Sequence, residues 1–196
     1  MKMNWITRKI IVFAIIACLF SSCIPSIHPL YSDDTLRFEE SLIGSWILYD
    51  TGSETERDQW NFVPFENKEG YHVSLVKENG EESHFDVHLV KLGDHYYCDF
   101  LRVDRDNIFN VQGIAPKVPM HSFARIEFKE GGFVLHHFDI EWLQKQFEQK
   151  KIRLKHEINE NGDIILTAST KELQKFIKKY GTHSDATVTP SVYTKA

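Results

Sequence analysis

Past its N-terminal region, the chain is a succession of short segments in which apolar and polar residues alternate, with turn residues between them. The clearest segment is 82–91, which follows the pair Asn79 and Gly80. Within it Phe85, Val87 and Leu89 occupy alternate positions, and alternation with a period of two is typical of a β-strand with one buried face. The Asn-Gly pair favours a tight hairpin, because both residues accept positive φ. This pattern predicts antiparallel strands joined by hairpins.

About nine such segments follow one another, which indicates one β-rich domain over 42–181. A meander of this length closes into a barrel, because closure removes exposed strand edges. The predicted fold is mainly β: an antiparallel meander that closes into a barrel or a strongly curved sheet, with two short covering helices. The predicted strands are 46–49, 60–63, 71–75, 82–91, 95–103, 120–128, 133–139, 151–158 and 164–168.

Two helical segments interrupt the strands, near 140–150 and near 170–180. Asp139 is placed to cap the first helix, since an Asp side chain accepts hydrogen bonds from the free N–H groups of a first turn. Ser169 and Glu172 fit a capping box at the start of the second helix. Both helices are amphipathic, so each is expected to cover part of the sheet.

The first 22 residues have the parts of a secretory signal peptide. Lys2, Arg8 and Lys9 give a positive start, an apolar run follows over 10–20, and two serines lead out of it. A helix of about 11 residues covers only about half of a ~30 Å hydrocarbon core, so a permanent transmembrane span is not expected. The leader therefore predicts export.

The segment 20–23, Phe-Ser-Ser-Cys, resembles the lipobox of bacterial lipoprotein precursors. In that family the cysteine becomes the first residue of the mature chain and carries a diacylglyceryl group. The resemblance implies that residues 1–22 are removed and that Cys23 is the lipid attachment site. The segment 15–18, Ile-Ile-Ala-Cys, makes Cys18 the alternative, and a signal peptide cut near the serines without a lipid is the third reading.

Two segments flank the predicted domain. Residues 23–41 are predicted to form a lipid-anchored tether, because their two prolines favour extended backbone. The apolar residues Ile27, Leu30 and Tyr31 leave open the alternative that this segment folds back on the domain. The polar segment 182–196 is predicted to be a flexible tail.

The anchor predicts an exported protein attached to a membrane by its N-terminal lipid. The formal charge of the full chain is −5, and removing the leader takes away three more cations. Such an acidic chain argues against nucleic acid, or an anionic membrane surface, as a ligand of the domain, so no nucleic-acid partner is predicted. Nothing after Cys23 resembles an acidic surface-export signal, which favours the periplasmic side of an outer membrane. With Cys23 lipidated, Cys98 is the one remaining thiol, so no intrachain disulfide is expected.

Two further resemblances concern the domain. Gly44-Ser45-Trp46 at the start of the first strand resembles the Gly-x-Trp signature of lipocalins and related calycin barrels, which implies that Trp46 packs across the closed end of a barrel. Segments 26–31, 42–46, 121–125 and 166–173 together are similar to a group of uncharacterised bacterial envelope lipoproteins. That group carries no assigned activity, so it implies class and location alone.

The sequence also bears on catalysis and metal binding. No Gly-x-Ser-x-Gly elbow, Cys-x-x-Cys pair or Gly-rich phosphate loop occurs, so no catalytic residue and no cofactor is predicted. His84 and His88 share a strand face, but about 13 Å separates them, which is too far for one metal ion. The segment 104–115 fails the EF-hand pattern because of Ile108 and Ala115. No metal site is predicted.

The long segment 104–119 is the main functional candidate, since loops of this length often act as lids or binding loops. Its Phe109, Val111 and Ile114, together with Trp46, are the predicted ligand-binding residues. The leading hypothesis is a non-enzymatic module that binds a small apolar ligand in the barrel. One alternative is a protein-interaction subunit of an envelope assembly, which would use the second helix, this loop or the tail. A further alternative is a hydrolase or inhibitor without a readable motif.

Overall fold

A computed structural model of the chain describes residues 24–49, 58–103 and 119–196. Eight of its strands follow one another around a closed antiparallel barrel, in chain order from Gly44–Leu48 to Gly132–His137 and then Ser191–Lys195, which pairs back with Gly44–Leu48. The predicted mainly β meander, its closure and its two helices are confirmed. The strands are β1 (Leu36–Arg37), β2 (Gly44–Leu48), β3 (Gln59–Pro64), β4 (Tyr71–Val76), β5 (Glu82–Leu92), β6 (His95–Val103), β7 (His121–Lys129), β8 (Gly132–His137), β9 (His156–Ile158), β10 (Ile164–Leu166) and β11 (Ser191–Lys195).

Inward-facing side chains of the barrel strands form one hydrophobic core, which we call the barrel core. The alternation predicted for β5 is confirmed: Val87 and Leu89 are fully buried there, and Phe85 packs against the same core. A period of two in a strand is what separates these residues from the outward-facing ones. The other large members of the barrel core are Trp46, Phe62, Tyr71, Phe100, Phe133, Leu135 and Tyr193.

The segment 182–196, predicted to be a flexible tail, contains the strand that closes the barrel. β11 pairs with β8 on one side and with β2 on the other, and Tyr193 is buried in the barrel core. The prediction was wrong because a five-residue strand with one large inward side chain gives almost no alternation to read. The strand predicted at 151–158 is also shortened to β9, which forms a separate two-stranded sheet with β10.

Two helices, α1 (Ile140–Glu148) and α2 (Thr170–Tyr180), cover one outer face of the barrel. Both predicted caps are confirmed: Asp139 accepts hydrogen bonds from the first turn of α1, and Ser169 and Glu172 form a capping box on α2. The apolar faces of the helices meet outward-facing residues of β5 to β7 in a second core, the outer core. Its members include Val90, Leu92, Tyr97, Phe123, Leu143, Leu173, Phe176 and Ile177.

The first described segment, from residue 24 onward, is packed on the barrel instead of forming the tether predicted for 23–41. Ile24 and Leu30 are buried in the outer core. Ser26 exchanges two backbone hydrogen bonds with His121, and its neighbours bond to Leu166 of β10. The prediction was wrong because these partners lie more than ninety positions away, where local composition does not reveal them. Of the two alternatives, the structure has the folded-back one.

The barrel has two different ends. At one end, which we call the closed end, lie the short connections β3–β4, β5–β6 and β7–β8 and a 3₁₀-helix, Glu40–Leu42, that precedes β2. The buried hydroxyl of Tyr71 donates to the carbonyl oxygen of Glu39 and accepts from its N–H, which fixes the chain just before this helix. The connections β2–β3 and β6–β7 lie at the opposite end, and most of their residues are outside the described ranges.

Within the described residues, no helix is long and apolar enough to cross a membrane.

Candidate functional site

Trp46 lies at the closed end of the barrel, where its position in β2 directs the indole inward. It is 4 % exposed, and its Nε1–H donates a 2.8 Å hydrogen bond to the carbonyl oxygen of Leu42 in the 3₁₀-helix. Its ring meets that of Phe133 edge-on at 5.0 Å between centroids. The hydrogen bond satisfies the polar edge of the indole, so the rest of the ring is free to act as apolar surface.

A pocket of about 290 Å³ opens beside this indole. Its floor is aromatic and comes from three strands, β2, β7 and β8. Its rim is charged, with residues from the 3₁₀-helix, the end of β7 and the end of β11. The lining includes Glu40, Trp46, Phe128, Lys129, Phe133 and Lys195.

Lys195 covers one side of the pocket because β11 pairs with β2 in a register that sets it opposite Trp46. Its Nζ lies 4.4 Å from the centroid of the indole and donates a 3.0 Å hydrogen bond to the carbonyl oxygen of Ile43. A cation over an indole face is attracted by the negative potential of the ring. The lysine is exposed, so this contact orders a side chain that otherwise points into solvent.

Gly132 marks where the β7–β8 hairpin passes closest to β11. A Cβ atom at this position would lie 2.0 Å from the carbonyl oxygen of Tyr193, so no other residue fits there without a backbone shift. The preceding Gly131 has φ 75°, a left-handed conformation that glycine adopts without strain. The two glycines therefore shape the turn that forms one wall of the pocket.

The middle of the barrel is filled by aromatic side chains. Trp60 contacts Phe85, Phe100 and Tyr193, with centroids 5.8, 5.9 and 6.1 Å apart. Phe133 stacks on Tyr193 at 5.0 Å. Rings at these separations are in van der Waals contact, so the described inward-facing residues pack against each other. The pocket that Trp46 lines is consequently at the end of the barrel and not along its axis.

Other residues predicted to be functional lie outside the described ranges. These are the ligand-binding candidates Phe109, Val111 and Ile114 and the lipid attachment candidates Cys23 and Cys18. The sequence prediction missed Lys195, Phe128 and Phe133 as neighbours of Trp46. Only the strand order around the barrel, which closes through β11, brings them together.

A second cluster, also missed, lies between the barrel and the N-terminal segment. The Asp99 carboxylate is completely buried; one oxygen accepts from the Leu30 N–H at 2.6 Å, and the other lies 2.7 Å from Nδ1 of His121. A buried charge is tolerated only when it is hydrogen-bonded in this way. The signal in the sequence was a lone acidic residue among the apolar residues of β6. We call Leu30, Tyr31, His88, Asp99 and His121 the polar joint.

Aromatic stacking completes the polar joint. The Tyr31 and His88 rings stack at 4.0 Å. Burial lowers the pKa of His88, an effect that the nearby carboxylates of Asp99 and Asp86 oppose, and its Nδ1 is buried without a hydrogen-bond partner in the described part of the chain. Burial, reinforced by Asp99, raises the pKa of Tyr31. Both shifts favour the neutral forms of the two side chains, which suits a structural contact.

Neither metal binding nor thiol chemistry gains support from the geometry. Within the ranges 24–49, 58–103 and 119–196, no group of three or more His, Cys, Asp or Glu side chains is arranged to hold a metal ion. Burial strongly raises the pKa of the Cys98 thiol, which lies in the barrel core, so the thiolate that would react is disfavoured.

The described chain thus defines a small closed β-barrel with two covering helices, a pocket at one end and a buried polar joint on its outer face. Comparison with protein-family models, with curated proteins and with solved structures finds no match to it.

Proposed function

We propose that this chain is a non-enzymatic binding module, held at a membrane by an N-terminal lipid, and that it binds a small apolar ligand in the closed-end pocket. The observation that carries the proposal is the aromatic floor formed by Trp46, Phe128 and Phe133 beside an open volume. Ligand sites are typically concave and mostly apolar, with a few polar groups that fix orientation.

The size of the pocket restricts the ligand. Its volume, about 290 Å³, is near the lower end of the range for small-molecule sites, roughly 300–1,000 Å³. The aromatic side chains around Trp60 pack against each other in the middle of the described barrel, beyond this pocket. The ligand we propose is therefore a short molecule and not a long acyl chain.

Binding is tested with the chain from Ile24 onward, which contains all eight barrel strands and both cores. Titration with 1-octanol should change the fluorescence of Trp46, and Trp46→Phe should abolish that change. Trp142→Phe is the matched control, since Trp142 lies on α1 outside the barrel. A cooperative thermal transition establishes that each variant is folded. Unaltered fluorescence at saturating probe, or the same response in Trp46→Phe, would reject the pocket as a ligand site.

The membrane anchor is the second part of the proposal and is supported by the leader sequence. Ile24 is buried, so an acyl group on Cys23 would begin one residue from the packed domain, without a flexible spacer. Two or more acyl chains make membrane attachment durable. Acyl labelling of the full-length chain should be lost in Cys23→Ala and retained in Cys18→Ala. The opposite result would identify Cys18 as the lipid attachment site. If neither the wild-type chain nor the variants are labelled, the chain carries no lipid anchor.

An interaction subunit of an envelope assembly remains a second candidate. Tyr49, Val63 and Val192 are exposed on the side of the barrel formed by β2, β3 and β11. Two of the three contact surfaces predicted from sequence are used inside the fold, since α2 buries its apolar face and the tail is strand β11. A stoichiometric partner recovered with the wild-type chain and lost in Val63→Asp would favour this function over ligand binding.

A further inference from the structure

We infer that the ligand of the closed-end pocket is an apolar carboxylate, with its hydrocarbon part on the aromatic floor and its carboxylate against Lys195. This inference rests on the proposed function and adds to it the charge of the ligand. It is carried by three observations: the charges around the pocket, the partners of Lys195, and the volume.

The lining of the pocket carries more positive than negative charge. Lys129 and Lys195 are on the rim, and Glu40 is the acidic residue of the lining. Glu40 forms an ion pair with Lys68 at 3.3 Å, and Lys129 pairs with Glu127 on its own strand. A carboxylate ligand would therefore meet a rim on which the acidic groups are already neutralised.

Of the two cations that line the pocket, Lys195 is the one without a carboxylate partner among the described residues. Its ammonium bonds to the neutral carbonyl oxygen of Ile43 and lies over the Trp46 ring. An ammonium has three N–H donors, so a ligand carboxylate can accept from it while the bond to the carbonyl is kept. Charge-assisted hydrogen bonds of this kind are about twice as strong as neutral ones.

A cationic ligand is disfavoured by the same geometry. The best position for an alkylammonium in this pocket is over the face of the indole, and Lys195 already occupies that position at 4.4 Å. An incoming ammonium would have to displace the lysine or approach a like charge. The Lys195 side chain therefore disfavours cationic ligands at the aromatic floor and favours anionic ones.

The volume sets the length of the hydrocarbon part. Each water in the liquid occupies about 30 Å³, so a pocket of about 290 Å³ holds roughly ten non-hydrogen atoms. Octanoate has a head and chain of that size. It can be compared with 1-octanol and octylamine, which have the same chain and a neutral or positive head.

The test measures the affinity of the chain from Ile24 onward for these three probes by isothermal titration calorimetry at neutral pH. We expect octanoate to bind at least about tenfold more tightly than 1-octanol, and octylamine to bind most weakly. Lys195→Gln should remove the preference for octanoate over 1-octanol. Lys179→Gln is the matched control, since Lys179 lies over Tyr180 on α2 at 4.9 Å, away from the pocket. It should change neither affinity.

The outcomes separate this inference from the proposed function. If octanoate and 1-octanol bind with equal affinity and Lys195→Gln alters neither, the inference that the ligand is a carboxylate is wrong. The proposal of a ligand pocket is then retained. Tighter binding of octylamine would overturn it in favour of a cation site. If no probe binds, or if Trp46→Phe binds all three as the wild type does, the pocket itself fails. A loss of the octanoate preference at high salt as well as in Lys195→Gln would support the proposed ion pair.

Discussion

The two cores of this protein are held together by different kinds of contact. The barrel core is made of aromatic and aliphatic side chains that project from neighbouring strands, and its rings meet at 5 to 6.5 Å. The outer core also buries apolar side chains, but it is connected to the N-terminal segment through a buried carboxylate, Asp99, and its two hydrogen bonds.

The two cores should therefore respond differently to substitutions. Apolar packing is spread over many weak contacts, so it fails gradually as atoms are removed. A buried charge depends on a few bonds, and losing one partner leaves the other unsatisfied at a cost of about 1–3 kcal/mol. We therefore expect the loss of unfolding free energy caused by a substitution in the barrel core to scale with the side-chain volume removed. Substitutions in the polar joint should depend on hydrogen-bonding groups and not on volume.

The largest effect is expected from removing the strand that closes the barrel. Deletion of residues 191–196 would leave β2 and β8 as unpaired edges and would expose the barrel core where Tyr193 is lost. The truncated chain should be insoluble or should lack a cooperative thermal transition. The control is Thr194→Ser. It keeps β11 and changes a side chain that faces outward, so it should leave Tm nearly unchanged. A soluble truncated chain with the wild-type Tm would mean that β11 does not close the barrel.

Within the barrel core, Phe133→Ala should have the next largest effect. Its ring contacts Trp46, Phe62 and Tyr193, and removing a fully buried aromatic ring from a core costs about 3–5 kcal/mol. The free energy of unfolding from urea titration measures this loss. Val63→Ala, on the exposed side of β3, should change the same quantity by about 0.5 kcal/mol or less. Similar losses at the two positions would contradict the packing described for the barrel.

In the polar joint, Asp99→Asn keeps the shape of the side chain but replaces one acceptor oxygen by a donor. The charged acceptor of both hydrogen bonds is lost, and one of its two oxygens becomes an N–H₂ donor beside the Leu30 N–H or the His121 ring, so we expect a loss of about 1–3 kcal/mol. Limited proteolysis should also cut the segment 24–31 faster. Asp86→Asn is the matched control, since Asp86 pairs with His72 on the surface, where ion pairs contribute about 0–1 kcal/mol. If the two substitutions lower the free energy of unfolding equally, the polar joint does not stabilise the fold more than a surface ion pair does.

The same contrast explains how far the sequence predicted the fold. Alternation in β5 and β6 and the capping residues of both helices are local signals, so the meander and the helices could be recognised from them. The docking of 24–31 depends on partners such as Asp99 and Thr170, which are far away in sequence, and no local pattern encodes them. β11 was missed for a related reason, because its burial depends on the strands beside it more than on its own residues.

The candidate site was predictable only in part. The Gly-x-Trp pattern placed Trp46 at the closed end, but the lysine over its ring follows from barrel closure. A pairing between residues 46 and 195 is among the longest-range contacts in the chain. Sites assembled by such contacts carry no motif, so the position of the pocket at the end of the barrel could not be read from the sequence.

The smallest expected effect is a dependence of stability on pH that comes from two partly buried histidines of the barrel strands, His88 in β5 and His137 in β8. Burial lowers the pKa of His88 and of His137, so the folded state keeps them neutral at pH values where the unfolded chain, with a pKa of 6.5, binds protons. Stability from these groups is complete above about pH 6.5 and is lost as the pH falls through that value toward their folded-state pKa. Urea midpoints between about pH 8 and pH 5 should therefore fall, and His137→Gln should reduce the slope. His95→Gln, at an exposed position in β6, is the control and should leave the slope of stability against pH unchanged. An identical slope in the wild type and both variants would show that His137 does not cause the pH dependence.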